Sequence, residues 1–270
     1  MLYVSAVAFD AVVTDLDGTV VRADGTVSAA TLQAAHALSA AGVPLLAATA
    51  RTPTGVAALT TLAPHLAFAV CCSGAVGWVP GAPEPAWCEL LPRAEVADLV
   101  AFLTRELPTV ALAAYDSRRW RMTATYQAMR PNTHKGPITV VEAAALPEAE
   151  ACTLVLGHPD RTPEQLVAAL IEGGFDPTRL GLHRAGRRFV EVTAAPIDKA
   201  SGVLRALRVV GADPARTIAF GDMPIDTTMF AVVGRSVAMA GAPPEVLAAA
   251  TDHTASVEDD GFARALTALL

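Results

Sequence analysis

The sequence predicts an α/β fold in which a parallel sheet flanked by helices receives an inserted α+β unit. Three observations carry this. Short, largely apolar runs at 9–14, 44–48 and 67–72 alternate with alanine- and leucine-rich helical stretches, the pattern of strands buried on both faces. The alternation breaks after about Gly77 and returns past Thr193. Acidic turns follow buried runs near both ends of the chain, so both ends contribute to one sheet.

The run 9–14 is the first strand. Residues 28–41 form a helix: Ser28 is its N-cap, Leu32, Ala35 and Leu38 share a face, and Gly42 ends it. Strand 44–48 follows, and strand–helix–strand order implies parallel neighbours. Strand 67–72 extends the sheet. Pro80-Gly81-Ala82-Pro83-Glu84-Pro85 is a breaker-rich junction. Beyond it come helix 93–106, strands 110–114, 120–125 and 151–156, helix 163–172 and strand 189–193. Helix 197–210, strands 217–220 and 236–239, and helices 243–250 and 262–270 restore the α/β alternation. The expected division is a core of 1–79 and 189–270 with an insertion at 80–188. No internal repeat is present, and low complexity is confined to the alanine-rich helices.

Composition narrows the function classes. Alanine supplies 56 of 270 residues, hydrophobic residues 53%, charged residues 17%, and mean hydropathy is +0.41. Disordered chains show the reverse balance. A formal net charge of -7 argues against a non-specific nucleic-acid partner. No run reaches the ~18–20 apolar residues of a membrane span. The most apolar stretch, 2–13, carries Asp10 and lacks a basic start, so a signal peptide is not expected. The expectation is a cytoplasmic protein without a membrane or nucleic-acid partner. Cys71, Cys72, Cys88 and Cys152 form no CxxC pair, and the six histidines no HxxxH. Buried, reduced thiols are therefore expected rather than a zinc site.

Chemistry concentrates at strand ends. Asp15-Leu16-Asp17-Gly18-Thr19 follows the first strand. Acids at i and i+2 project to one side, a costly pairing unless a cation or proton is shared. One reading is a nucleophile and an acid/base around a divalent metal; the other is a polar turn, since Asp-Gly is a common turn pair. Gly221-Asp222-Met223-Pro224-Ile225-Asp226 follows strand 217–220. Asp222 and Asp226 converge if that loop enters a helix, and hard oxygen ligands suit Mg²⁺. The competing reading is another acidic turn with Asp226 as a helix cap. Lys199 stands early in helix 197–210, and Thr49 ends strand 44–48. An ammonium and a hydroxyl are the groups to place around a phosphoryl oxygen, though singly each also reads as surface or structural.

Taken together, these motifs resemble those of the haloacid dehalogenase (HAD) superfamily. Asp15-Leu16-Asp17-Gly18-Thr19, Thr49, Lys199, and Gly221-Asp222 with Asp226 match its four motifs in order. Cys72-Ser73-Gly74-Ala75, Asp198-Lys199-Ala200, 237–242 and Asp260-Gly261 are similar to the Cof-type (class IIB) subfamily. The chain departs from it at Ala50, Ser73, Ala200 and Ile225; the subfamily commonly has Asn at the last position, where it supports the metal. The resemblance implies a Rossmann-like parallel-sheet core with an inserted α+β cap domain. It also implies a Mg²⁺-dependent phosphatase of small phosphorylated metabolites, sugar phosphates foremost. Asp15 would be the nucleophile forming an aspartyl-phosphate, and Asp17 the acid and base. Asp15, Asp17 (through its carbonyl), Asp222 and Asp226 would hold Mg²⁺, and Thr49 and Lys199 would steady the phosphoryl oxygens. A glycoside-phosphate phosphatase of the mannosyl-3-phosphoglycerate or sucrose-phosphate type, and a non-catalytic sugar-phosphate-binding regulator, are the alternatives. Oligomeric state is not legible.

Substrate contacts are expected from Arg51, Ser73 and Gly74 at the rim. The inserted unit carries Arg118, Arg119, Arg121, Arg130 and Lys135 around Trp120 and Tyr126, and a second basic group at Arg184, Arg187 and Arg188. Most of these are expected to be solvated strand residues whose stems cover apolar surface. Only Lys135 and Lys199 are lysines, against eighteen arginines.

Overall fold

A computed structural model describes residues 9–130, 135–176, 178–185 and 188–269. Residues 2–8 of the apolar stretch, His134, Arg187 and Leu270 lie outside the described residues.

Two sheets organise the chain. The larger has eight strands in the order Asp252–Thr254, Arg235–Met239, Thr217–Gly221, Ala11–Thr14, Leu45–Ala48, Leu66–Cys71, Val76–Trp78 and Trp87–Cys88. The first six run parallel, and the last two add antiparallel. Ala11–Thr14 sits centrally and is buried throughout, with helices packed on both sides of the sheet. Its continuous apolar run is what a strand covered on both faces requires. Because its neighbours are parallel to it, residues 15, 49 and 222 all emerge at the same, carboxyl, edge.

The smaller sheet has six strands in the order Leu180–Ala185, Phe189–Ala194, Thr153–Gly157, Ala111–Tyr115, Trp120–Met122 and Ile138–Val140. Helices Arg93–Glu106 and Pro163–Glu172 cover one face. The other face, through Tyr115, Trp120, Tyr126 and Phe189, joins the apolar cluster of the larger sheet. The α/β class with a core and an inserted cap is as expected.

Several elements differ from their sequence reading. The breaker-rich 80–85 segment is a hairpin loop inside the larger sheet, joining Val76–Trp78 to Trp87–Cys88. Pro/Gly clusters mark any tight change of direction, linker or hairpin alike. Strand 120–125 stops at Met122, because the Thr123 hydroxyl accepts from the Tyr126 amide and opens helix Ala124–Met129. The exposed strand Ile138–Val140 is only three residues long, too short for its alternation to reveal it. Trp87–Cys88 belongs to the larger sheet and Phe189–Ala194 to the smaller. We propose that the domain division follows these sheets, with crossings near residues 89 and 195 rather than 79 and 188.

Helix Lys199–Val210 begins at a capping box, in which Asp198 accepts from the Ser201 amide at 2.8 Å and Ser201 Oγ accepts from the Asp198 amide at 3.0 Å. Gly211 ends it in the left-handed region at φ 73°. No helix among the described residues is long and apolar enough to cross a membrane.

Candidate active site

The two acidic turns and the start of helix Lys199–Val210 converge at the carboxyl edge of the larger sheet. Strand pairing sets this: Thr14 lies beside Phe220 and Ala47, and the Asp15 amide donates to the Phe220 carbonyl at 2.9 Å. Lys199 Nζ donates to Asp15 Oδ1 at 2.8 Å and to Asp226 Oδ1 at 2.6 Å. All three side chains are essentially buried. Asp226 Oδ2 accepts from the Asp222 and Met223 amides at 3.0 and 2.9 Å, so it holds the loop that presents Asp222. Thr19 Oγ1 donates to Asp222 Oδ1 at 2.7 Å. Gly18 has φ 88°, and a Cβ there would lie 2.4 Å from Asp222 Oδ2, so only glycine lets the two acidic turns approach this closely.

Electrostatics make the cluster a cation site in waiting. Burial pushes the Asp15 carboxyl well above the usual carboxylate range; Lys199 opposes this, while Asp226 and Asp222 add to it. Burial likewise pushes Asp222 up to about 6, against the Thr19 hydrogen bond. Burial pulls Lys199 down, but Asp15 and Asp226 together outweigh it and hold the ammonium above its ordinary value. One ammonium therefore faces three carboxylates. Asp15, Asp222 and Asp226 each offer an oxygen within 4.8 Å of the others. The donor set is all oxygen, which fits a hard divalent cation. Both Asp226 oxygens are already hydrogen-bonded, whereas among the described residues nothing hydrogen-bonds the second oxygen of Asp15 or Asp222.

Around this cluster the other expected residues take distinct places. Asp17 projects outward, and Arg51 forks both its oxygens, Nε to Oδ2 at 2.7 Å and Nη2 to Oδ1 at 2.6 Å. Thr49 is buried, and its Oγ1 accepts from the Arg51 amide at 3.1 Å, which leaves the hydroxyl hydrogen uncommitted by that bond. Ser73 is not at an open rim: it is fully buried, and its hydroxyl donates to Glu191 of the smaller sheet. Gly74 packs against the start of the lysine-bearing helix, where a Cβ would lie 2.1 Å from the Asp198 carbonyl oxygen. Ile225 is half-buried and brings no polar group to the acidic loop.

Most of the basic residues of the insertion are internally engaged. Arg118 pairs with Glu84 at 2.6 Å, Arg184 with Glu164 at 2.7 Å, and Arg119 lies 3.6 Å from Asp116. Arg121 donates to the Ala145 carbonyl, and Arg130 lies over the Phe189 ring. Arg188 and Lys135 are exposed; Trp120 and Tyr126 are core residues. The four cysteines are free thiols, three of them buried. Sequence reasoning missed Glu191, whose signal was a lone acid in the otherwise apolar run 189–192, and Thr19, the last residue of a motif it did quote.

Three comparisons bear on this arrangement. The family model of haloacid dehalogenase-like hydrolases matches residues 12–266. A candidate phosphatase of Bacillus subtilis (strain 168), YxeH, is 34% identical over 87 residues, which is 32% of this chain and 32% of that protein. The aligned part thus spans about a third of the length of the curated relative. Among solved structures, the HAD subclass IIB sugar phosphatase BT4131 is similar at a TM-score of 0.83 and 23% identity, over 97% of this chain and 100% of that one. BT1666 of Bacteroides thetaiotaomicron, a phosphatase of the same superfamily, is similar at 0.80 and 20%, over 100% and 98%. TM0651 of Thermotoga maritima is similar at 0.76 and 19%, over 96% and 97%. Identities this low speak for a shared fold.

Proposed function

The chain belongs to the haloacid dehalogenase-like hydrolases, and from that membership we propose that it is a Mg²⁺-dependent phosphatase of small phosphorylated metabolites, sugar phosphates foremost. The observation that carries the reading is the buried cluster of Asp15, Lys199, Asp222 and Asp226 at the carboxyl edge of the parallel sheet.

Lys199 holds Asp15 Oδ1, which leaves Oδ2 to attack phosphorus. The new bond is Asp15 Oδ2 to P, and the bond that breaks is P to the leaving-group oxygen. Asp17 donates its proton to the departing alkoxide, then takes one from the water that hydrolyses the aspartyl-phosphate. For this it must leave the Arg51 fork, and an incoming anionic substrate offers Arg51 a replacement partner. Thr49 directs its free hydroxyl hydrogen, and Lys199 its ammonium, at the phosphoryl oxygens. Mg²⁺ would be held by the Asp15 oxygen that does not attack, the second oxygen of Asp222 and the Asp17 carbonyl. Asp226, with both oxygens spent, supports them. When bound, Mg²⁺ supplies charge that offsets repulsion between the carboxylates and the phosphate.

The direct test is hydrolysis of an aryl phosphate with Mg²⁺, and its loss in EDTA. Failure of both to appear sinks the reading. A binding measurement adds a second check. Mg²⁺ should raise the Tm by a few degrees at saturation. That increment should grow from pH 5 to pH 7, because Asp222, pushed up to about 6, must release its proton to bind a cation. An increment independent of pH would argue that the metal sits elsewhere.

Arg51 gives a separate expectation. Arg51→Lys keeps the charge but loses the planar fork that an incoming anionic substrate takes over from Asp17. Its kcat/KM should fall about ten- to a hundredfold, roughly the 1–3 kcal/mol of a charge-assisted pair, with Tm little changed because the pair is partly exposed. Wild-type kinetics in this variant would remove Arg51 from the site.

A further inference from the structure

The turn after strand Leu66–Cys71 ties together three parts of the protein. Cys72 and Ser73 both adopt left-handed backbone conformations, at φ 48° and 49°, which side-chain-bearing residues keep only where their surroundings hold them. The Cys72 amide donates to the Arg51 carbonyl and the Ser73 amide to the Thr49 carbonyl, each at 3.0 Å. Gly74 meets the Asp198 carbonyl, and Gly202 of the lysine-bearing helix packs on Gly74. The turn thus braces both the Thr49–Arg51 loop and the start of the Lys199 helix. The Trp87 indole of the larger sheet also donates to the Gly74 carbonyl at 3.2 Å, and a further anchor comes from the other sheet, where the Ser73 hydroxyl donates to Glu191 Oε2.

Glu191 is 2% exposed, on strand Phe189–Ala194. Thr153 Oγ1 lies 3.1 Å from Glu191 Oε1 and 3.1 Å from the Val192 carbonyl. Thr153 has one hydrogen for these two oxygens. A protonated Glu191 resolves this: its own hydrogen goes to Thr153 Oγ1, Thr153 donates to Val192, and Ser73 donates to Oε2. An ionised Glu191 leaves one oxygen short of a donor and buries a charge.

We propose that Glu191 is a positioning residue: through Ser73 it seats the smaller sheet on the turn that braces the Thr49–Arg51 loop, and this seat loosens when the carboxyl loses its proton. Burial pushes Glu191 up to about 7, while Ser73, Thr153 and the Lys199 ammonium hold it down against that. The other titratable groups facing it are Cys71 and Cys72 at the turn and Tyr126 on helix Ala124–Met129. Each titrates above its ordinary value and stays neutral through the range concerned. Once unseated and hydrated, Glu191 returns to its ordinary value near 4.5. The seated form therefore keeps its proton between about 4.5 and about 7. Seating is strongest below that window, weakens by up to ~10-fold per pH unit across it, and is level above it.

The test measures distance, so its failure is separable from failure of the phosphatase reading, on which only the consequence for Thr49 and Lys199 rests. Fluorophores on genetically encoded side chains at exposed Ile171 and Val209 report separation of the two sheets by energy transfer. In the wild-type protein the seated-to-unseated ratio should fall at least about fivefold from pH 5 to pH 7, then level off. Glu191→Gln, which cannot ionise, should remove the pH dependence, and Ser73→Ala should lower the ratio at every pH. A wild-type curve without pH dependence, a Glu191→Gln curve like the wild type, or unchanged transfer in Ser73→Ala each overturns the proposal. Should Glu191→Gln not fold, the wild-type and Ser73→Ala curves decide.

Discussion

Asp15→Asn is expected to reduce aryl-phosphate hydrolysis by about 10⁴-fold or more, the scale seen when a nucleophile is removed, without lowering the stability of the metal-free protein. Both halves follow from the same burial. Asp15 is 6% exposed, and its charge is disfavoured first by desolvation and then by Asp226 and Asp222. Asparagine keeps the shape and one acceptor oxygen for Lys199 but removes one of three crowded carboxylates. Lys199 retains Asp226 at 2.6 Å, so it is not stranded. The checks are turnover with Mg²⁺ and a melting curve in EDTA. Undiminished hydrolysis would remove Asp15 as the nucleophile. A lost activity accompanied by a large fall in Tm would assign the residue to folding instead.

Lys199→Met should show the opposite balance, a large loss of both rate and stability. The lysine is 1% exposed and is the ammonium shared by Asp15 and Asp226. Removing one partner of a buried ion pair costs about 3–5 kcal/mol, because the remaining charges are uncompensated. The pH dependence has a definite sign. Lys199 is held above its ordinary value, so its own stabilising contribution is intact throughout the neutral range and is lost only in strong alkali. In its absence the carboxylates take up protons more readily, and the native state binds more protons than the unfolded chain. The Tm deficit of Lys199→Met should therefore shrink from pH 7 to pH 5; a deficit that does not respond to acid argues that packing, not charge, is lost. Lys199→Arg keeps the charge, but a planar fork has no room in this enclosed slot. It should still lose most of the rate, whereas a lysine of the surface would tolerate the exchange.

Much of the fold was legible because its signals are local. A strand buried on both faces needs an apolar run, and Ala11–Thr14, Leu45–Ala48 and Thr217–Gly221 carry one. The Ser28 cap of helix Ala29–Ala40 was readable for the same reason, since a cap and its amide are three residues apart. Where a local signal has two structural meanings, the reading failed. The Pro/Gly cluster at 80–85 closes a hairpin instead of marking a linker. Thr123 caps a helix inside the run 120–125 that the sequence reads as one strand. Ser73 followed the same logic: the sequence places it beside the Thr49–Arg51 loop, but the left-handed backbone at 72–73 turns its hydroxyl inward to Glu191.

By itself, then, the sequence determined which residues stand at strand ends: Asp15 and Asp17 after one buried run, Thr49 after another, and Asp222 after a third. Period and burial are properties of a few neighbouring residues, so they can be read without knowing the rest. Only the tertiary structure decided what each group faces. Lys199 meets Asp15 across 184 residues of chain, Asp226 spends both oxygens on support, and Glu191 reaches Ser73 from a different sheet. Such pairings depend on how whole layers pack, and a carboxyl group in a sequence carries no mark of the partner that packing will bring to it.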